Sequence, residues 1–146
     1  MSWWIGILVV FSTFWVMEFV AWATHKYIMH GFLWNLHRDH HQVDKTNKFE
    51  KNDAFFLIFA LPGSALIIFG GSMAFCVGLG ITLYGFAYFV IHEIFIHQRI
   101  KLFRNTKSPY LKAIRRAHKI HHKSLEKDNG SCFGMLIVPI KFMRQY

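Results

Sequence analysis

Three apolar stretches, Ser2–Ala23, Ala54–Gly70 and Met73–Ile91, constrain this chain more than any other feature. Each approaches the roughly 17–25 residues that a helix, rising about 1.5 Å per residue, needs to cross hydrocarbon. The chain therefore reads as an all-α integral-membrane helical protein with three spanning helices, at about 2–23, 54–70 and 73–91. At 146 residues and 53% hydrophobic, it has room for one domain, 1–146, and is too apolar for an ordinary soluble protein of that size. The first stretch is too long for a signal-peptide core and has no basic residue before it, although Ala21-Trp22-Ala23 loosely resembles a cleavage site. It is expected to be retained. Trp3 and Trp4 are placed to anchor its outer end in an aromatic belt.

The charges give the topology. The net charge is +9, and all 17 Lys and Arg lie in two segments: five between the first and second stretches, twelve from Arg99 to Arg144. The positive-inside rule puts both segments, 24–53 and 92–146, in the cytoplasm. The N-terminus is then outside, and the second and third spans form a tight hairpin turning at Gly70-Gly71-Ser72. This placement accounts for the charge through the membrane surface rather than a nucleic-acid partner. The two cysteines, Cys76 and Cys132, are too few for a disulfide scaffold or a thiolate metal cage.

Residues 42–52 are the clearest soluble loop, and Pro62 implies a kink in the second span. Ser108-Pro109 has the form of a helix N-cap followed by proline at the first helical position. On the helix that follows, Leu111, Ile114, His118, His121 and His122 fall within an arc of about 100°, beside an adjoining arc of Lys and Arg. This helix should lie along the membrane with its histidines inward. Phe133–Ile140 is apolar but too short to span, and so should be interfacial or packed over the site.

The ten histidines carry the chemistry. His25 and His30 bracket four residues; His37, His40 and His41 form H-x2-HH; His92 and His97 repeat the first spacing, and His118, His121 and His122 repeat the second. The topology gathers all four groups on one side of the membrane, where ionisable groups are costly and usually functional. In H-x2-HH, residues i, i+3 and i+4 span about 100° of a helix, so three imidazoles can converge. The i, i+5 pairs are awkward, about 140° apart on a regular α-helix. Those pairs should sit where a helix frays or serve different ions. Ten imidazoles exceed the four to six ligands one ion takes, so two ions fit the count, while ligand type alone leaves iron, copper, nickel and zinc open.

His92-Glu93-Ile94-Phe95-Ile96-His97 has one residue too many for a zinc-protease H-E-x-x-H, and no Glu-x-x-His pair of a carboxylate-rich di-iron bundle occurs. Glu18, seven residues before His25, and Glu93, beside His92, are candidates to accept the outer N–H of a ligating imidazole. Asp39 and Asp53 are weaker candidates for the same part.

On these residues the chain closely resembles the bacterial beta-carotene 3-hydroxylases of the fatty acid hydroxylase superfamily, membrane non-haem di-iron oxygenases. The resemblance runs through Met17-Glu18, His25-Lys26-Tyr27-Ile28-Met29-His30-Gly31, His37-Arg38-Asp39-His40-His41 and Phe49-Glu50-Lys51-Asn52-Asp53. It continues with Tyr88-Phe89-Val90-Ile91-His92-Glu93, His97-Gln98-Arg99, Tyr110-Leu111-Lys112, Ala117-His118-Lys119-Ile120-His121-His122 and Ser131-Cys132-Phe133-Gly134. It implies two iron ions (Fe2+) on the ten histidines, O2 as co-substrate, and electrons from a separate ferredoxin-type donor. It also implies hydroxylation of beta-ionone rings at C3, converting beta-carotene through cryptoxanthin to zeaxanthin. The chain itself has no flavin or nicotinamide fingerprint and too few cysteines for an iron–sulfur cluster, so the reductant must be another protein. Its basic face could dock an acidic donor or membrane lipid. The nearest rivals are a carotenoid ketolase and a fatty-acyl or sterol hydroxylase or desaturase; more distant is a non-enzymatic membrane metal binder or transporter. The resemblance places the protein in a bacterial inner membrane.

Overall fold

A computed structural model of the chain describes residues 1–42 and 49–144, and over these it is helical with no strand. The centre of the expected loop, 43–48, lies outside the described residues. The helices are α1 (Trp3–Ala23), α2 (Trp34–His41), α3 (Ala54–Phe69), α4 (Ser72–Tyr88) and α5 (Pro109–His121). Three continuous helical runs are long and apolar enough to cross a membrane: Trp3–Phe32, Lys51–Phe69 and Ser72–Ile96.

The first and third runs overshoot their expected ends. Past Ala23 and past Tyr88 the chain does not leave the helix; it widens into π-helical segments, Thr24–Phe32 and Phe89–Ile96. The wider turn is closed by i→i+5 bonds such as Leu33 N–H to the Ile28 carbonyl (3.0 Å) and His97 N–H to the His92 carbonyl (2.9 Å). The first segment carries the i, i+5 pair His25 and His30; the second carries His92 and ends against His97, its C-cap residue. Gly31, with non-helical backbone at φ −104° and ψ −123°, then turns the chain from the first π segment into α2.

α4 packs between α1 and α3. The hairpin turns at Gly70-Gly71 as expected, and α3 runs unbroken through Pro62. Small residues let the backbones meet: a Cβ at Gly78 would come 2.7 Å from the Gly63 carbonyl oxygen, and one at Gly80 would come 2.8 Å from that of Val10. The spanning helices turn large apolar side chains outward, with Trp3 78% and Phe69 85% exposed, whereas His37, His40, His92 and His121 are at most 1% exposed. That inversion suits a protein solvated by lipid around a polar centre.

The remaining elements close over the ends of α1 and α4. Ser108 caps α5, its hydroxyl accepting from the Leu111 N–H (3.4 Å), with Pro109 at the first turn. α5 buries Ala113, Ile114, Ala117, His118 and His121 on one face. Ile114 joins Phe95, Ile96 and Met135 in one apolar cluster; Ala113 and Ala117 pack on Phe142 in another. The Arg115 guanidinium ties the loop before α5 to the site, donating to the carbonyls of Phe95 (2.9 Å), Phe103 (3.1 Å) and Arg104 (2.9 Å).

Candidate metal centre

All ten histidines meet in one region and divide into two clusters. His25, His30, His37, His41 and His121 form the first; His40, His92, His97 and His118 form the second, and within each set one ring nitrogen per residue lies within 4.8 Å of the others. His122 joins the second cluster, its Nε2 2.8 Å from that of His118. The clusters abut, His41 stacking on His122 with ring centroids 4.4 Å apart.

This division corrects two expectations from spacing. The members of an i, i+5 pair do not serve different ions: a π turn brings residues five apart to one face, so His25 and His30 share one cluster, and His92 and His97, the latter at the helix end, share the other. The H-x2-HH groups, by contrast, do not converge. The roughly 100° between i+3 and i+4 aims the three rings at two targets. His37 and His41 face the first cluster while His40 faces the second; His118 and His122 face the second while His121 crosses to the first. Each cluster thus takes a π-helical pair, an i, i+4 pair and one ring from the opposite half of the chain.

The outer nitrogens show why the inner ones can bind metal. Nδ1–H donates to a carbonyl from His25 (Phe133, 3.1 Å), His30 (Lys127, 3.0 Å), His41 (Ser124, 2.8 Å) and His121 (Ser131, 2.8 Å), and from His37 to the Asn52 side-chain oxygen (2.7 Å). In the second cluster the acceptors are carboxylates: Glu50 for His40 (2.7 Å) and Glu93 for His92 (2.5 Å). A carbonyl oxygen cannot donate, so the ring proton sits on Nδ1 and the inward Nε2 of a neutral imidazole is a bare lone pair. Those lone pairs face one another: His25 to His37 at 3.1 Å, His30 to His121, His37 to His41 and His40 to His92 at 3.2 Å. Lone pair against lone pair is repulsive without a cation between them. Ligands about 2.0–2.1 Å from a metal and at right angles to each other lie about 3 Å apart, which matches these separations. The donor set therefore fits a metal ion in each cluster.

Burial supports the neutral form. Loss of solvation pulls the pKa of His37 down to about 2, His41 to about 4, and His97 and His121 to about 3, with neighbouring imidazoles adding to the shift. All four are uncharged at neutral pH. Because these folded-state values lie below the ordinary value of about 6.5, the unfolded chain binds more protons on acidification. Stability is then complete above about pH 6.5 and is lost as pH falls from there toward about 4 and below. A melting series of the metal-free protein in detergent should show a flat Tm above pH 7 and a steady fall between about pH 6.5 and 4; a Tm that rises on acidification would contradict this assignment.

The candidate carboxylates divide. Glu93 accepts from the His92 Nδ1–H (2.5 Å). Glu18 does not reach a histidine: it accepts from the Tyr84 hydroxyl (2.8 Å) and from the backbone N–H groups of Met135 (2.9 Å), Leu136 (2.8 Å) and Ile137 (3.0 Å). Asp39 accepts from the Lys51 N–H (2.5 Å), and Asp53 from the Glu50 N–H (3.1 Å) while pairing with Arg99. Neither contacts a ring; both shape the 51–53 turn that carries Glu50 and Asn52 to the site. Glu50 and Asn52 are the partners that histidine spacing did not reveal. The Phe133–Ile140 stretch packs over the site, Phe133 lying edge-on to His25, His30 and His121 at 5.1–5.5 Å.

Two five-histidine clusters at the ends of lipid-exposed helices define a membrane metalloprotein of the hydroxylase type, and the chain belongs to the fatty acid hydroxylase family, whose model matches residues 10–139. It is similar to the beta-carotene hydroxylase of Pantoea ananas, 38% identical over 95% of this chain and 81% of that protein. It is also similar to the beta-carotene hydroxylase of Paracoccus sp. (strain N81106 / MBIC 01143), 35% identical over 92% and 85%. Beta-carotene hydroxylase 2, chloroplastic, of Capsicum annuum is 37% identical over 84% of this chain and 41% of its own length. No solved structure matches the chain.

Proposed function

We propose that the chain is a single membrane domain, 1–146, that hydroxylates carotenoids at C3 of the beta-ionone ring, taking beta-carotene through cryptoxanthin to zeaxanthin. The two interlocked histidine clusters carry this reading, and the bacterial relatives, similar along nearly the whole chain, supply the substrate. Each hydroxylation inserts one oxygen atom of O2 into a C–H bond and reduces the other to water with two electrons and two protons. Two iron ions on the ten histidines would supply the O2 activation, fed by a separate ferredoxin-type donor.

The chain's own residues hold and shield that centre. The outer N–H bonds of His25, His30, His37, His40, His41, His92 and His121 fix those rings so that they turn only their Nε2 inward. Phe133 walls off the first cluster, keeping bulk water from a reactive site. Clusters set at the ends of helices apolar enough to cross a membrane suit a substrate dissolved in the bilayer. The segregation of Lys and Arg supports a topology with the N-terminus outside and the clusters and C-terminus on the cytoplasmic side of a bacterial inner membrane.

Expression in cells that accumulate beta-carotene tests the reading. Cryptoxanthin and zeaxanthin should appear in the pigment extract. Ketocarotenoids instead, or unchanged beta-carotene with altered fatty acids, would overturn the carotenoid C3 assignment.

A further inference from the structure

The two clusters are alike in their imidazoles and unlike behind them. Around the first, the acceptors of the outer N–H groups are neutral: four backbone carbonyls and the Asn52 amide oxygen. Around the second, His40 and His92 each donate to a carboxylate, and those carboxylates are bound together by one guanidinium. Arg99 Nη2 lies 3.0 Å from Glu50 and Arg99 Nε lies 2.7 Å from Glu93. The result is a closed ring, His40–Glu50–Arg99–Glu93–His92, completed where the two Nε2 atoms face each other at 3.2 Å.

This ring is built by the backbone. Gln98 takes the left-handed conformation (φ 59°) just past the π-helical segment, and its side-chain amide donates to the carbonyls of Phe95 (2.8 Å) and Ile94 (3.3 Å), capping the helix end. The chain is turned so that Arg99 points back at the carboxylates. Asp53, 3.0 Å from Arg99, fixes the guanidinium from the other side. Glu50 and Glu93 are only 16% and 12% exposed, so water does little to weaken these contacts.

A carboxylate behind a ligating imidazole raises its basicity and adds a negative charge close to the ion; a carbonyl does the first weakly and the second not at all. We infer that the two clusters are unequal metal sites, the one containing His40 and His92 binding a divalent cation more tightly because Glu50 and Glu93, held by Arg99, stand behind it. Glu50, Glu93 and Arg99 are positioning residues, acting through the histidines. The inference rests on the metal-centre reading of the clusters but not on the carotenoid assignment.

Cobalt(II) titration of the metal-free, detergent-solubilised full chain, followed by visible absorption and calorimetry, tests it without turnover. The wild type should bind in two resolved steps. Glu93→Gln and Glu50→Gln, which keep the shape and remove the charge, should each weaken the tighter step by about 10–100-fold and leave the looser one in place. Asn52→Leu, which strips the acceptor from His37, should weaken the looser step alone. Far-ultraviolet circular dichroism of each metal-free variant separates misfolding from lost affinity, and the two independent glutamate variants guard against either failing to fold. Two equal steps in the wild type, or a glutamate substitution that weakens the looser step, would overturn the inference while leaving the metal centre standing. Absence of cobalt binding would overturn both.

Discussion

His121→Ala is expected to strip metal from the cluster formed mainly by the first half of the chain, although His121 lies on α5 near the C-terminus. Its Nε2 is 3.2 Å from that of His30, and its Nδ1–H is held by the Ser131 carbonyl, so the ring is committed to the first cluster on both sides. His118, one turn earlier on the same helix, serves the second. Loss of an outer-shell partner alone typically costs about 10–100-fold in metal affinity or activity, and loss of a ligand should exceed that. Metal analysis of His121→Ala should therefore show about half the wild-type content, with hydroxylation down by more than about 100-fold. His40→Ala is the mirror experiment, emptying the second cluster from the first half of the chain. If His121→Ala and His118→Ala deplete the same metal, identified by the cobalt step that disappears, the crossed assignment is wrong. Substitutions at both crossing positions should not be additive for activity, since either alone breaks a two-ion centre.

The structure also explains which parts of the site could be read in advance. The spans, the Gly70-Gly71 hairpin, the Ser108-Pro109 helix start and the inward face of α5 all follow from local rules, because hydrophobic length, turn chemistry and capping act over a few residues. The i, i+5 pairs look awkward only against an α-helix; the π turn makes five a favourable spacing. With both pairs separated by four residues at the end of an apolar run, that repeat was itself the available signal. Glu50 and Asn52 sit in a polar stretch that composition describes as a solvated loop, and only the 3-10 turn Lys51–Asp53 and its packing on α2 bring them beneath His40 and His37. Within 49–53 the sequence offers a physical role only for Asp53; Glu50 and Asn52 are marked by the family resemblance alone. Helical spacing aims Glu18 at His25; the groups that claim it are 66 to 119 residues away, beyond anything local periodicity can report.

Removing the Glu18 side chain should give the largest loss of stability among changes that spare the histidines. The carboxylate is 3% exposed and accepts from four donors, three of them successive backbone N–H groups of the segment that follows Phe133. With Glu18→Ala those N–H groups and the Tyr84 hydroxyl are left buried, each unpaired polar group costing about 1–3 kcal/mol before relaxation. Partial rearrangement and access to water would reduce the sum, so a net loss of about 3–5 kcal/mol is expected, similar to breaking a buried charged contact. Glu18→Gln keeps one acceptor oxygen and should cost less, about 1–2 kcal/mol, as charge-assisted bonds become neutral ones. The damage should be local before it is global. Residues 131–138 should become sensitive to protease while α1 and α4 stay protected, because three of the four donors lie in the C-terminal segment and only the Tyr84 hydroxyl joins α1 to α4. That segment supplies the Phe133 and Ser131 carbonyls to His25 and His121, so metal should be lost first from the cluster containing those rings. Protease mapping and cobalt titration of Glu18→Ala would then report the same event. Unchanged cleavage at 131–138 with metal lost from both clusters would show that Glu18 acts on the centre by another route.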